Sequence, residues 1–78
     1  MTSDDIIQHA ADLMGRAADQ RTGAVIYFGA MALTNLDSNA NWRPLNDAVG
    51  ARWPSRSGLL RVKKAAWAMR SRCAKVKP

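Results

Sequence analysis

TGAVIYFGAMALTNL, residues 22–36, is a stretch without a charged residue, and its conformation decides the fold. A membrane-spanning helix needs about 20 apolar residues, whereas this run is shorter and is interrupted by Gly, Thr and Asn. The segment AVIYF could form a strand, but the chain offers no second strand to pair with it, and an unpaired strand leaves backbone polar groups unsatisfied. We therefore predict a helix over residues 23–36 that is buried on nearly every side.

The preceding segment, residues 3–21, predicts a first amphipathic helix. Thr2 or Ser3 can cap it, and two aspartates in the first turn suit the positive end of the helix dipole. Gly15 falls inside this predicted helix, where close packing against a neighbour would explain it. The face predicted to pack is marked by apolar residues at helical spacing: Ile6, Ile7, Ala10, Leu13, Met14 and Ala17.

The segment after the uncharged stretch predicts two more helices. Residues 37–43, DSNANWR, have a composition typical of a loop, and Pro44 then suits the first position of a helix over 44–52. After the connector WPSRS, Ser57 is a suitable cap for a long helix over 58–75. The expected fold is all-α, a small bundle of four helices.

Chain length and cysteine content limit what this protein can be. Its 78 residues form a single domain, residues 1–78, and a chain this short buries only about 60% of its unfolded surface. Cys73 is the single cysteine and His9 the single histidine, so we expect no disulfide, no metal site and no cofactor. The start MTSDDII lacks the basic and apolar regions of a secretory signal, which predicts a cytoplasmic protein that does not enter a membrane.

Charge is divided unevenly between the two halves of the sequence. Residues 1–42 carry two Arg and five Asp, a net charge of −3. Residues 43–78 carry ten Lys or Arg against Asp47 alone, a net charge of +9. Such an asymmetry indicates a polyanionic partner for the basic half.

The predicted fourth helix separates apolar from basic residues. Its packing side is an apolar stripe with spacings of three and four residues: Leu59, Val62, Ala66, Met69, Cys73 and Val76. Cys73 is accordingly predicted to be a small buried apolar residue. The opposite side carries Arg61, Lys64, Arg72 and Lys75.

No acid occurs between residues 56 and 77, although eight Lys or Arg lie there. Like charges one turn apart destabilise a helix by a few tenths of a kcal/mol each, so an external polyanion would reward the arrangement. Duplex DNA offers a negative charge about every 1.7 Å along its axis, and its major groove admits a helix. A plain soluble surface, an anionic membrane and an acidic protein remain alternatives for such a charge run.

Residues 44–75 resemble the helix-turn-helix class of DNA-binding proteins in their layout, a short helix followed by a connector and a longer helix. The resemblance implies that the second helix enters the groove, with Arg61 and Lys64 reaching base edges. Ser55, Arg56 and Ser57 would meet a phosphate at the amino terminus of that helix. Flanking phosphates would contact Arg43, Arg52, Arg72 and Lys75.

The remaining conspicuous side chains have structural interpretations. Trp53 and Trp67 are predicted core residues, and Trp42 is predicted to pack over the start of the third helix. His9 is predicted to be a surface residue. No nucleophile, base and acid are grouped in the sequence, and no glycine-rich phosphate loop is present, so we do not expect an enzyme.

Two functions fit these features. One is a small dimeric DNA-binding regulator of transcription, of the kind found on phages and plasmids. The other is a phage-type interaction protein that inhibits a host protein or nucleoprotein complex through its basic helical surface. In both cases we expect a homodimer, because three other helices cannot cover an apolar second helix completely, and its open surface or the apolar stripe of the fourth helix would meet a second copy.

Overall fold

The computed structural model describes residues 2–55 and 57–75, with side chains up to residue 73. Four helices follow one another: α1 (Ser3–Met14), α2 (Gln20–Leu33), α3 (Arg43–Arg52) and α4 (Gly58–Lys75). The described part of the chain contains no strand. The predicted all-α bundle of four helices is therefore confirmed.

Helix α1 begins as predicted but ends earlier. Thr2 is the cap: its hydroxyl accepts the Asp5 N–H, and the Asp5 carboxylate accepts the Thr2 N–H, both over 3.2 Å. The prediction of one helix as far as residue 21 is wrong, because the chain turns after Met14 and Asp19 caps a new helix. Gly15 follows the last residue of α1, and a side chain there would only touch the Asp12 carbonyl at 3.5 Å, so close packing does not explain it.

Helix α2 is shifted by three residues toward the amino terminus relative to the predicted range 23–36. It starts at Gln20 and ends at Leu33. The Asp19 carboxylate accepts the Thr22 N–H over 2.8 Å, which fixes its start. At its end, the Thr34 hydroxyl donates to the Ala30 carbonyl over 2.7 Å. The next two residues, Asn35 and Leu36, have left-handed φ angles of 53° and 54°, which a continuing helix cannot contain.

Helices α3 and α4 lie where the sequence placed them, except that α3 begins at Arg43, one residue before Pro44. Their connection is tight at Gly58, where an added Cβ would run into the Trp53 carbonyl oxygen. The Trp53 ring in turn lies against Gly23 of α2, where an added Cβ would come within 2.5 Å of Cη2. Both glycines are therefore required by close approaches around one tryptophan.

The core is small and lies where α1 and α4 pack onto α2 and α3. Helix α2 contacts both α1 and α4, while α3 contacts the same two helices from the other side. The largest fully buried side chains are Ile7, Met14, Leu45, Val49 and Val62. The aspartate-rich α1 and the basic α4 each pack on α2 and α3 and not extensively on each other.

Two predictions about buried faces need correction. Helix α2 is not buried on nearly every side: Val25 is 52% exposed and Leu33 is 73% exposed. On α1, the core-facing residues are Ile7, Ala10, Ala11 and Met14. Ile6 is only partly buried and Leu13 is 40% exposed, so the predicted packing face of α1 is wider than the face that the core uses.

Across residues 2–55 and 57–75, no helix combines the length and the apolar character that crossing a bilayer demands.

Candidate nucleic-acid interface

Helix α4 has one buried side and one exposed cationic side. Val62 and Ala66 are fully buried against α2 and α3. Arg61, Lys64 and Arg72 are exposed, as the spacing predicts. The backbone of Lys75 belongs to the last turn of α4, and its side chain lies outside the described part.

Several aspartates of the chain are engaged away from α4. Asp4 accepts the backbone N–H of Asn41 over 2.9 Å, and Asp5 and Asp19 cap α1 and α2. Within residues 2–55 and 57–73, the ion pair that forms joins Arg43 to Asp47 over 3.8 Å, and it is exposed and outside α4. The described cations of α4 are therefore not neutralised by the acidic half of the chain.

Hydrogen bonding explains why the capping aspartates remain ionised. The Thr2 N–H lowers the pKa of Asp5 below its ordinary value of 3.8, and the Thr22 N–H does the same for the pKa of Asp19. Both carboxylates are fully exposed. Their charge stabilises the amino termini of α1 and α2 and is not available as a partner for the cations of α4.

The helix dipole explains only part of the charge on α4. Cations in the last turn, such as Arg72 and Lys75, lie at the negative end of the dipole and are stabilised there. Arg61 and Lys64 lie within the first two turns, near the positive end, and no acid occupies the first turn. Neither residue lies in the last turn, where the dipole stabilises cations, so the dipole does not account for them.

The connector before α4 places hydroxyl groups at the start of the basic helix. The hydroxyls of Ser55 and Ser57 lie 3.5 Å apart. The Ser55 carbonyl accepts the Gly58 N–H over 3.1 Å, and the Ser57 carbonyl accepts the Arg61 N–H over 2.8 Å. Arg56, also predicted to bind phosphate, lies outside the described residues.

The two arginines at the ends of α3 differ in their surroundings. Arg43 is exposed and shares a weak exposed pair with Asp47. Arg52 donates its Nε proton to the Ala17 carbonyl over 2.8 Å, and its guanidinium carbon lies 5.4 Å from the centre of the Trp53 ring. Arg52 therefore fastens the end of α3 to the segment between α1 and α2, a role that the sequence did not reveal.

Two side chains of α4, Cys73 and Trp67, differ from their predictions, and a third large apolar side chain of this helix is also exposed. Cys73 is exposed, not buried, at the edge of a shallow hollow beside the end of α2. Trp67 is 45% exposed, and the Arg70 guanidinium lies 5.5 Å from the centre of its ring. Leu60, one heptad earlier, is 67% exposed. Every side chain described after Met69 is exposed. The end of α4 therefore extends past the core, and the apolar stripe is uncovered there.

The other two tryptophans are partly buried. Trp53 packs against the core, as predicted. Trp42 precedes α3 and stacks on Tyr27 of α2 with ring centres 5.9 Å apart, while its Nε1 donates to the Asp37 carbonyl over 2.9 Å. Burial raises the pKa of Tyr27, whose hydroxyl donates to Asn46 Oδ1 over 2.8 Å. This aromatic cluster fastens α2 to the start of α3.

Over the described ranges, no three His, Cys, Asp or Glu side chains form a group that could hold a metal ion. No protein-family model matches the chain, and neither a curated protein nor a solved structure is detectably similar to it.

Proposed function

We propose that this protein binds duplex DNA through α4, as a small cytoplasmic regulator of the kind found on phages and plasmids. The observation that carries the proposal is the set of exposed cations on α4 that the acidic half of the chain leaves unneutralised. Phosphates would supply the missing negative charge, and each contact would release condensed counterions.

The arrangement of α3, the connector and α4 supports a division of labour among the cations. Arg61 and Lys64, on the exposed side early in α4, are the candidates for base edges in the major groove. Ser55 and Ser57, at the amino terminus of α4, suit a phosphate. Arg43, Arg72 and Lys75 would contact flanking phosphates, which position a protein without reading sequence. Arg52 has a second role in the fold, so its phosphate contact would use only its terminal nitrogens.

A double charge reversal, Arg61→Glu with Lys64→Glu, tests the proposal. Both side chains are exposed, so the fold should survive, as far-ultraviolet circular dichroism would verify. Fluorescence anisotropy with a labelled duplex over a salt series should show tight binding at low salt for the natural chain. The double variant should bind at least about 100-fold more weakly, with a shallower dependence on salt concentration.

The control for this experiment is Arg16→Glu with Arg21→Glu. Both arginines are exposed and lie outside α4, and the change in net charge is the same. A regulator that uses α4 should lose much less affinity in this control than in the α4 variant. Equal losses in both variants, or no binding by the natural chain at low salt, would contradict the proposal.

A second function, inhibition of a host protein or nucleoprotein complex, is favoured by Leu60 and Trp67. These large apolar side chains are exposed among the cations of α4. Tryptophan and arginine together are typical of the residues that dominate protein interfaces. A pulldown from a nuclease-treated host lysate distinguishes the two functions. The inhibitor function is supported if the natural chain retains a single protein in stoichiometric amount and the Trp67→Ala variant does not.

A further inference from the structure

The outward side of α2 is unusual for a surface helix because it carries almost no polar group. After Arg21 in the first turn, its exposed residues are Thr22, Val25, Ala32 and Leu33, and the partly buried Gly29 lies among them. A surface helix normally places charged residues on the side away from the core. On this side of α2, charge is absent for three turns.

Helix α1 extends this apolar surface into a groove. Its floor and walls come from both helices and enclose a volume of about 330 Å³. The lining residues are Ile6, His9, Ala10, Leu13, Ile26, Gly29, Ala30 and Leu33. Ile6 and Leu13 are the two apolar residues of α1 that the core does not fully bury. The groove therefore brings together apolar side chains of α1 and α2 that the core leaves exposed or partly exposed.

Gly29 lies in the middle of this groove, and the fold of the single chain does not need a glycine there. A Cβ added at Gly29 would meet no atom within 4 Å, whereas one added at Gly23 or Gly58 would collide with Trp53. Glycine destabilises the interior of a helix relative to alanine. The absence of a side chain at Gly29 would be useful if a partner approached the backbone of α2 closely at this position.

We propose that this groove is a homodimer interface in which the α2 helices of two copies cross at Gly29. Val25 and Leu33 lie one turn before and one turn after Gly29, so a two-fold axis through Gly29 would place the two glycines face to face and set Val25 and Leu33 of one copy beside the same pair of the other. Such an interface is self-complementary, as two-fold symmetry requires. The inference does not depend on DNA binding.

Surface area agrees with a second copy as the occupant. A compact monomer of this mass, 8.5 kDa, is expected to expose about 4,700 Å². This chain exposes 5429 Å². The difference is close to the roughly 800 Å² that each partner buries in a standard interface, and it includes the exposed end of α4 as well as the groove.

Charge also favours a second copy over other occupants. The groove lacks charged lining residues, so it offers nothing to a strongly charged partner. Residues of α1 and α2 line it, and no residue of the basic α4 does. Two molecules of net charge +6 repel each other overall, and an interface at this groove, which no Asp, Glu, Lys or Arg lines, adds no like-charge contact to that repulsion.

The test is sedimentation equilibrium without DNA, in a Cys73→Ser background so that the exposed thiol cannot form a disulfide dimer. Leu33→Glu places a charge in the proposed interface, and Leu60→Glu is the matched control on α4 with similar exposure. We expect a dimer for the parent and for the control, and a dissociation constant at least about 100-fold weaker for Leu33→Glu. Val25→Glu, half exposed, should behave as Leu33→Glu does.

A second readout does not depend on the variants. Amide chemical shifts recorded during dilution of the parent should change along α1 and α2 and stay constant along α4. A parent that stays monomeric at millimolar concentration overturns the proposal, as does a dimer disrupted only by Leu60→Glu. A monomer that binds neutral phospholipid vesicles through Leu33 would also overturn it, because the occupant would then be lipid. DNA binding by such a monomer would leave the proposed function intact.

Discussion

Single residues in this protein differ sharply in what the fold demands of them, and the glycines show this best. Gly23 and Gly58 are fixed by the position of Trp53, whose ring and carbonyl occupy the space where their side chains would be. Gly29 and Gly50 face open space in the single chain. The sequence does not reveal which glycines the fold requires, because the requirement at Gly23 and Gly58 comes from contacts with Trp53 that only the folded chain makes.

Replacing Gly58 with alanine should destabilise the protein by about 1–3 kcal/mol, because the new methyl group would collide with the Trp53 backbone and force the connector to move. The matched control is Gly50→Ala in α3, which should stabilise by about 0.4–1 kcal/mol. Urea unfolding followed by circular dichroism measures both. Equal effects of the two substitutions would show that the connector is not tight at Gly58.

Individual helices here depend on a few capping groups. The sequence indicated Thr2 as a cap correctly, but it did not reveal that Asp19 starts a helix, because residues 3–21 keep an unbroken helical period. The structure shows that the chain turns after Gly15 and that the Asp19 carboxylate receives the Thr22 N–H. Periodicity alone could not locate that break, since the turn keeps Ala17 in the core.

The caps make the stability of the helices depend on pH. Because the pKa of Asp19 is below its ordinary value of 3.8 in the folded chain, its contribution is fully present above that value and is lost as pH falls through the lower folded value. We expect the melting temperature to fall as pH is lowered from about 5 to about 2. Asp19→Asn keeps a capping oxygen without a titrating group, so its melting temperature should fall less steeply.

Asp12→Asn is the control for that measurement, since Asp12 is exposed on α1 outside its first turn. Its melting temperature should follow the natural chain over the same pH range. Calorimetry at matched protein concentration would decide. A decline as steep for Asp19→Asn as for the natural chain would mean that the cap does not contribute.

The whole molecule is electrically polarised because the aspartate-rich α1 and the basic α4 do not pack extensively on each other. The charge of each half follows from the sequence, while the structure shows that Asp5 and Asp19 are used as caps and Asp4 in a backbone contact. The described cations of α4 consequently repel one another without internal compensation. This repulsion is a stability cost that a polyanion or salt can relieve.

Sodium chloride should therefore stabilise the free protein. Raising its concentration from about 0.05 M to about 0.5 M screens like charges along α4, each pair costing a few tenths of a kcal/mol, so the melting temperature should rise by a few degrees. The double variant Arg61→Glu with Lys64→Glu has a net charge of 6 − 4 = +2. Its melting temperature should rise less over the same range of salt concentration. A melting temperature independent of salt in the natural chain would contradict this account of its electrostatics.

The sequence by itself determined the all-α class, the bounds of α4 and its exposed cations, because these follow from local spacing and from the absence of acids near residues 56–77. Tertiary structure alone decided three things: that α2 keeps one side uncovered, that α4 extends past the core at Cys73 and leaves Trp67 on a side that the other helices do not fully cover, and that Arg52 fastens α3 to Ala17. The physical reason is the same in each case. Periodicity specifies which side of a helix is apolar, but only the packing of the other helices determines how much of that side is covered.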